Sequence, residues 1–196
     1  MNGATEIFGK CVKKTVLRLA IVVLVMAAVG MSGSRPAFAA ARAGIDQDAD
    51  AALTKLYDTT PAARIVGEKA KAILIFPDIV KAGFIIGAQY GEGALRVEGK
   101  TTGYYNMVAA SYGLQAGVQS FAYAMFLMTD SAVKYLKKSA GWEIGVGPST
   151  VVVDAGRAKS LTTTTGKSDV YAFIFGQKGL MAGLGLQGSK ITRIKP

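Results

Sequence analysis

Apolar residues along this chain follow two periods. As far as Lys71 they recur at helical spacing, and from Ile73 onward they mostly alternate with small or polar residues. Ala49, Leu53, Leu56 and Tyr57 share one face of a helix from about Asp48 to Tyr57, with Asp46 or Asp48 as its cap and residues 40–47 as a loose lead-in. Thr60 is placed to cap a second helix, with Pro61 at the first helical position, where its missing N–H costs nothing. Ile73–Phe76 reads as a buried strand ended by Pro77, which cannot donate to a sheet ladder. In the next strand Phe84, Ile86, Ala88 and Tyr90 face one way and Ile85, Gly87 and Gln89 the other. Gly91-Glu92-Gly93 then reads as a hairpin turn, returning through Leu95 and Val97.

Further along, Glu98–Gly103 has loop composition and Tyr104–Ala110 is a near-continuous apolar strand. Leu114–Met128 alternates for longer than one ordinary strand, which predicts a bend near Ser120. A short third helix is expected, capped by Asp130, packing through Ala132, Val133 and Leu136, and stopped by Gly141. Trp142 to Val146 and Val151–Val153 read as strands on either side of Pro148, and residues 155–168 are mostly polar. Val170–Phe175 is apolar on both faces and therefore central; Gly176–Gly179 reads as a turn, and Leu180–Gln187 alternates cleanly. The order predicts an α+β fold: N-terminal helices packed on a strongly curved, mainly antiparallel β-sheet with one inserted helix. Alternating small residues suit strong curvature, up to barrel-like closure. Gly-rich, apolar-lined walls fit an internal cavity and a filled core equally.

The N-terminus carries an address. Lys10, Lys13, Lys14 and Arg18 precede an apolar run of 13 residues, Leu19–Met31, and Ala37-Phe38-Ala39 is a small-x-small cleavage site. A membrane span needs about 20 apolar residues, so residues 1–39 read as a cleaved signal peptide and residues 40–196 as a single domain. The expected location is periplasmic or secreted. Cleavage would remove the one cysteine, Cys11, and leave 18 basic and 12 acidic residues, a net charge of +6. That balance, without long Lys/Arg blocks, points to an anionic membrane surface and away from nucleic acid.

The chain has no histidine, which removes imidazole acid-base chemistry, Ser-His triads and histidine metal ligation together. Four motif fragments fail on context. Asp46-x-Asp48-x-Asp50 lacks the Gly and Glu of a calcium loop. Gly166-Lys167-Ser168 lacks the leading Gly of a phosphate loop, and a strand follows it instead of a helix. Gly183-x-Gly185-x-x-Gly188 lies too close to Pro196 to open a dinucleotide fold. Ser131-x-x-Lys134 lacks the companion elements of a serine hydrolase. The expectation is a protein with no enzymatic activity, no cofactor and no metal.

What remains is cations beside apolar faces. Lys134, Lys137 and Lys138 are spaced to share one face of the third helix; Arg64, Lys69 and Lys71 crowd the end of the second, and Lys81 follows. Two readings compete: solvated faces whose lysines compensate helix dipoles, or a surface that binds lipid phosphates. Tyr104, Tyr105 and Phe121 fit core packing better than interfacial anchoring.

The blocks FPDIVKAGFIIGAQYGEG, YYNMVAASYGLQAGVQS and GVGP, in this order, resemble the SYLF domain, over about Asp50 to Ile194. The resemblance implies lipid binding, phosphoinositides in particular for eukaryotic members, actin-filament binding for fungal members, and no established enzymatic activity. With the charge and the export signal, it leads to an expected lipid-binding surface of Arg64, Lys69, Lys71, Lys81, Lys134, Lys137 and Lys138 on an anionic phospholipid membrane. One of the first two helices would press its apolar side into the interface. The alternative is a protein-interaction module with an actin-like or envelope partner.

Overall fold

The computed structural model describes residues 34–138, 141–143, 147–153 and 168–194. The chain divides into two compact units, Met1–Arg42 and Ala43–Pro196. Of the first, only the opening of helix α1 (Ser34–Thr59) is described, so the n-region and apolar run of the expected export signal lie outside the described residues. No described helix is long and apolar enough to cross a membrane.

Helix α1 is longer than the apolar stripe alone suggests, and residues 40–47 are helical. The Ala-rich run before Gly44 has high helix propensity, and Asp46, expected as a cap, is engaged elsewhere. Its carboxylate accepts hydrogen bonds from Thr101 Oγ1 (2.7 Å) and Tyr104 Oη (2.8 Å). Arg96 donates to its carbonyl (3.0 Å) and pairs with Asp50 at 2.7 Å. These bonds tie α1 to the sheet. Helix α2 (Pro61–Lys69) starts where Pro61 allows, although the Thr60 side chain makes no cap bond.

Strands β1 (Ala72–Val97) and β2 (Lys100–Leu127) are followed by helix α3 (Asp130–Lys137), the short strands β3 (Trp142–Glu143) and β4 (Thr150–Val153), and β5 (Val170–Arg193). The sheet order is β1-β2-β5-β3, antiparallel throughout except for β4, which runs parallel beside β5. The fold is α+β, with few long strands where the sequence suggested more and shorter ones.

The breaks inferred from glycine and proline are bulges inside those strands. The ladder shifts register between Phe76 and Ile79, so Pro77 bends β1 without ending it. Gly91-Glu92-Gly93 is not a turn; these residues pair with Met107, Asn106 and Tyr105. The turn is Glu98-Gly99, with φ of 51° and 76°, the pair of positive angles that a two-residue type I′ hairpin needs. Gly176–Gly179 likewise lies within β5, opposite the register shift between Ser120 and Ala122, where the bend in β2 was expected.

Missing side chains let the sheet curl on itself. A Cβ at Gly93 would fall against the Ile75 carbonyl and 2.7 Å from Phe76 Cδ1, and one at Gly91 would lie 2.6 Å from Ile79 Cγ1. Two segments of β1 therefore pass in contact across the concave side. Among the described residues that side holds a packed core: Leu74, Phe76, Leu95, Tyr105, Met107 and Met125, closed by Ala132 and Leu136 of α3 and by Trp142. Tyr105 is core, as its strand position suggested. On the convex side Phe126, Tyr171 and Phe173 pack under Leu56 of α1 and Ala63 of α2, while Ile75 and Ala94 pack under Ala49. The buried faces of α1 and α2 thus belong to the core and are not free to press into a membrane.

Candidate functional site

Helix α3 presents its charge by construction. Its N-cap is Thr129, in extended conformation, whose Oγ1 accepts from the Ala132 N–H at 3.3 Å. Asp130, expected as the cap, is instead in the first turn, where it complements the positive helix end. Ala132 and Leu136 turn into the core, so Lys134 and Lys137 are exposed at the last turn and Lys138 just beyond it. The Lys138 ammonium stands 5.8 Å from the centre of the Tyr135 ring, and that ring packs edge-on against Trp142 with centroids 5.3 Å apart. Among the described residues no carboxylate pairs with the three lysines.

Ser131, Lys134, Tyr135, Lys138, Pro148 and Asp169 line a shallow groove beside this helix. The Asp169 carboxylate is occupied. It accepts from the Ser149 hydroxyl (3.0 Å) and N–H (3.1 Å) and from Thr129 Oγ1 (3.1 Å), and these bonds hold its pKa below the ordinary carboxylate value. A lowered folded-state pKa gives stability that is present above about pH 3.9 and is lost as pH falls through the folded value. Asp169→Asn is therefore expected to lower the melting temperature at pH 7, with a difference that shrinks as pH falls through the lowered folded-state value; an unchanged melt at pH 7 would show that the Ser149–Asp169–Thr129 link holds nothing in place.

The other expected cations lie elsewhere. Arg64 is exposed on α2, 3.6 Å from Asp58 and over the Tyr57 ring at 5.3 Å. Lys69 ends the same helix, and the Lys71 N–H donates to Leu127 O at the mouth of β1. Lys81 is half-buried on β1, paired in register with Gln119. The structure brings Lys134, Lys137 and Lys138 together at the end of α3 but does not join them to Arg64 and Lys69 of α2. α2 packs on the Phe126 face of the sheet and α3 on the Met125 face, and successive strand residues point to opposite sides.

The residues that sequence reasoning missed are apolar and exposed: Phe84, Ile86, Tyr112, Val118 and Leu180. Their alternation was legible. Which side of it met solvent was not, because glycine and small residues on the other side gave no polar face to mark the outside.

Two comparisons bear on this chain. Residues 108–195 match the family model described as Ysc84, Las17-binding protein actin regulator. Over 153 residues the chain is 29% identical to Beta cell expansion factor A of Aeromonas veronii, an alignment covering 76% of this chain and 56% of the relative. The chain thus spans little more than half the length of that protein.

Proposed function

Since this chain carries a domain of the SYLF family, we propose that it is an exported, non-enzymatic lipid-binding protein that docks on anionic phospholipid or phosphoinositide headgroups. The observation that carries this reading is the α3 surface: three exposed lysines at the end of one short helix, two in its last turn and one at its C-cap, no carboxylate partner among the described residues, and a groove alongside. Each lysine near an anionic bilayer contributes about 1 kcal/mol, so the three supply about 3 kcal/mol, or roughly 100-fold in affinity. Arg64 and Lys69, on the opposite side of the sheet, are assigned to α2 itself, where Lys69 offsets the helix dipole.

The test is co-sedimentation of residues 40–196 with neutral and anionic vesicles at low and near-physiological salt. Binding selective for anionic vesicles, weakened but not removed by salt, is the expected result. Charge reversal of Lys134, Lys137 and Lys138 together is expected to reduce it by at least about 100-fold. Unchanged binding would take α3 out of the account; no binding by the parent chain would end the membrane reading.

A second reading draws on the family description, which names a Las17-binding actin regulator. It is a protein-interaction module, acting on filaments or on an envelope protein. Co-sedimentation with actin filaments at moderate salt, with a chain of similar charge as control, separates specific binding from polycation adhesion.

A further inference from the structure

In the middle of β1, β2 and β5 the usual burial pattern is inverted. Phe84, Ile86, Tyr112, Val118 and Leu180 are 59 to 89% exposed. The ladder sets them on one convex surface: Ile86 opposite Tyr112, Phe84 opposite Ala116, and Val118 opposite Leu180. On the inward side of the same strands, Gln89 and Ser111 are only 5% and 6% exposed. A sheet in water turns its apolar face to a core; apolar-out with polar and small residues inside is the arrangement of strands that face lipid.

The backbone holds this surface out. β2 places residues 113–115 opposite the single residue Ile85, whose φ of 66° is unusual for a β-branched side chain. Gly113, Gly117 and Gly179 also take positive φ, so all three strands turn a corner together. Phe84 and Ile86 stand on its outer side. Lys178 and Lys190 are exposed on the same surface, opposite Ser120 and Val108. The acids on this side sit at its margins: Glu92, which accepts from Tyr90 Oη at 2.6 Å, Glu143 across from Lys190, and Asp78, which with Asp48 of α1 lines a groove shared with Lys178.

We propose that this apolar corner of the sheet is the element that enters the bilayer, seating Phe84, Ile86 and Leu180 in the interfacial layer of an anionic membrane while Lys178 and Lys190 meet headgroups. The inference rests on the membrane-docking reading above for its partner, an anionic membrane, but not on α3, which packs on the concave side; on this convex side the cations are Lys178 and Lys190, and the buried faces of α1 and α2 are already in the core. An exposed apolar surface of this kind marks an interaction site. Lipid is the occupant the pattern favours, because the apolar side chains face outward while Gln89 and Ser111 face inward, and Lys178 and Lys190 stand exposed on the same surface.

Residues 40–196 contain the whole compact unit Ala43–Pro196 and all three core clusters, with Trp142 as the one, fully buried, tryptophan. Phe84→Trp adds an indole at the corner. With phosphatidylglycerol-containing vesicles it is expected to shift to shorter wavelength and to be quenched by brominated acyl chains, while Trp142 in the parent is not. The double variant Phe84→Asp, Ile86→Asp is expected to lose vesicle binding by about tenfold or more with an unchanged thermal melt. If the parent binds anionic vesicles, but the added indole is unquenched and the double variant binds equally well, the corner is not the inserting element and the docking reading stands alone. If the parent binds no vesicle, both fall. A concentration-dependent dimer that the double variant abolishes, again without quenching, would assign the surface to a second copy and overturn the proposal.

Discussion

Gly93→Val is expected to unfold the domain. The new Cβ would sit against the Ile75 carbonyl and within 2.7 Å of Phe76 Cδ1. The first of these is backbone in a paired strand and cannot swing aside as a side-chain tip could. Overpacking a core costs about 1–3 kcal/mol where neighbours can shift. Here relief requires separating the two crossing segments of β1, so a cost of at least about 3 kcal/mol is expected, a large part of the roughly 5–15 kcal/mol of a typical domain. The measurement is urea denaturation followed by Trp142 emission, with near-UV circular dichroism as the check on packing. Gly44→Ala is the contrasting substitution. Gly44 lies within α1 with nothing within 4 Å of a new Cβ, and the change should stabilise by about 0.5–1 kcal/mol. A Gly93→Val protein as stable as the parent would mean that the sheet does not curl back on itself at this point.

Trp142→Ala is expected to cost about 3–5 kcal/mol, the range for deleting a large buried aromatic side chain. The indole is fully buried, packs edge-on against Tyr135, and belongs to a two-residue strand paired with Lys190 and Ile191. It thereby couples α3 to the sheet edge, and α3 carries Lys134, Lys137 and Lys138. The substitution is expected to weaken anionic-vesicle binding as well as stability, because the lysines lose the support that fixes their common face. Trp142→Phe separates the two effects. Among the described residues indole Nε1 has no hydrogen-bond partner, so phenylalanine forfeits none of the described bonds and leaves only a small void. It should cost about 1–2 kcal/mol and leave vesicle binding intact. Binding lost equally in both variants would point to a direct part for the indole, against its burial.

Much of the architecture was legible from periodicity. Pro61 opened α2, the alternation of Leu114–Met128 located the bend at Ser120, and Ala132 and Leu136 fixed which side of α3 is buried. Punctuation misled. Pro77, Gly91–Gly93 and Gly176–Gly179 read as ends and turns, yet each lies within a long strand. The same residues that end a strand also make bulges and close crossings, and a local window cannot separate those uses. Asp46 and Asp48 were read as caps because capping is the local use of aspartate. The partners that claim Asp46, Thr101 and Tyr104, arrive from 55 and 58 residues away.

The candidate surfaces divide along the same line. Lys134, Lys137 and Lys138 were found at once, since i, i+3 and i+4 spacing on a helix is a local fact. That Arg64 and Lys69 lie on the far side of the sheet depends on which strand residues each helix covers, and spacing along the chain does not encode that. By itself the sequence determined the fold class, the periods of its elements, the lysine cluster and the absence of histidine chemistry, all of which follow from residue type and short-range spacing. Only the tertiary structure decided which face of the alternating strands is the outside. Curling set by glycine contacts turned Gln89 and Ser111 inward and left Phe84, Ile86 and Leu180 exposed, the opposite of what hydrophobicity alone would assign.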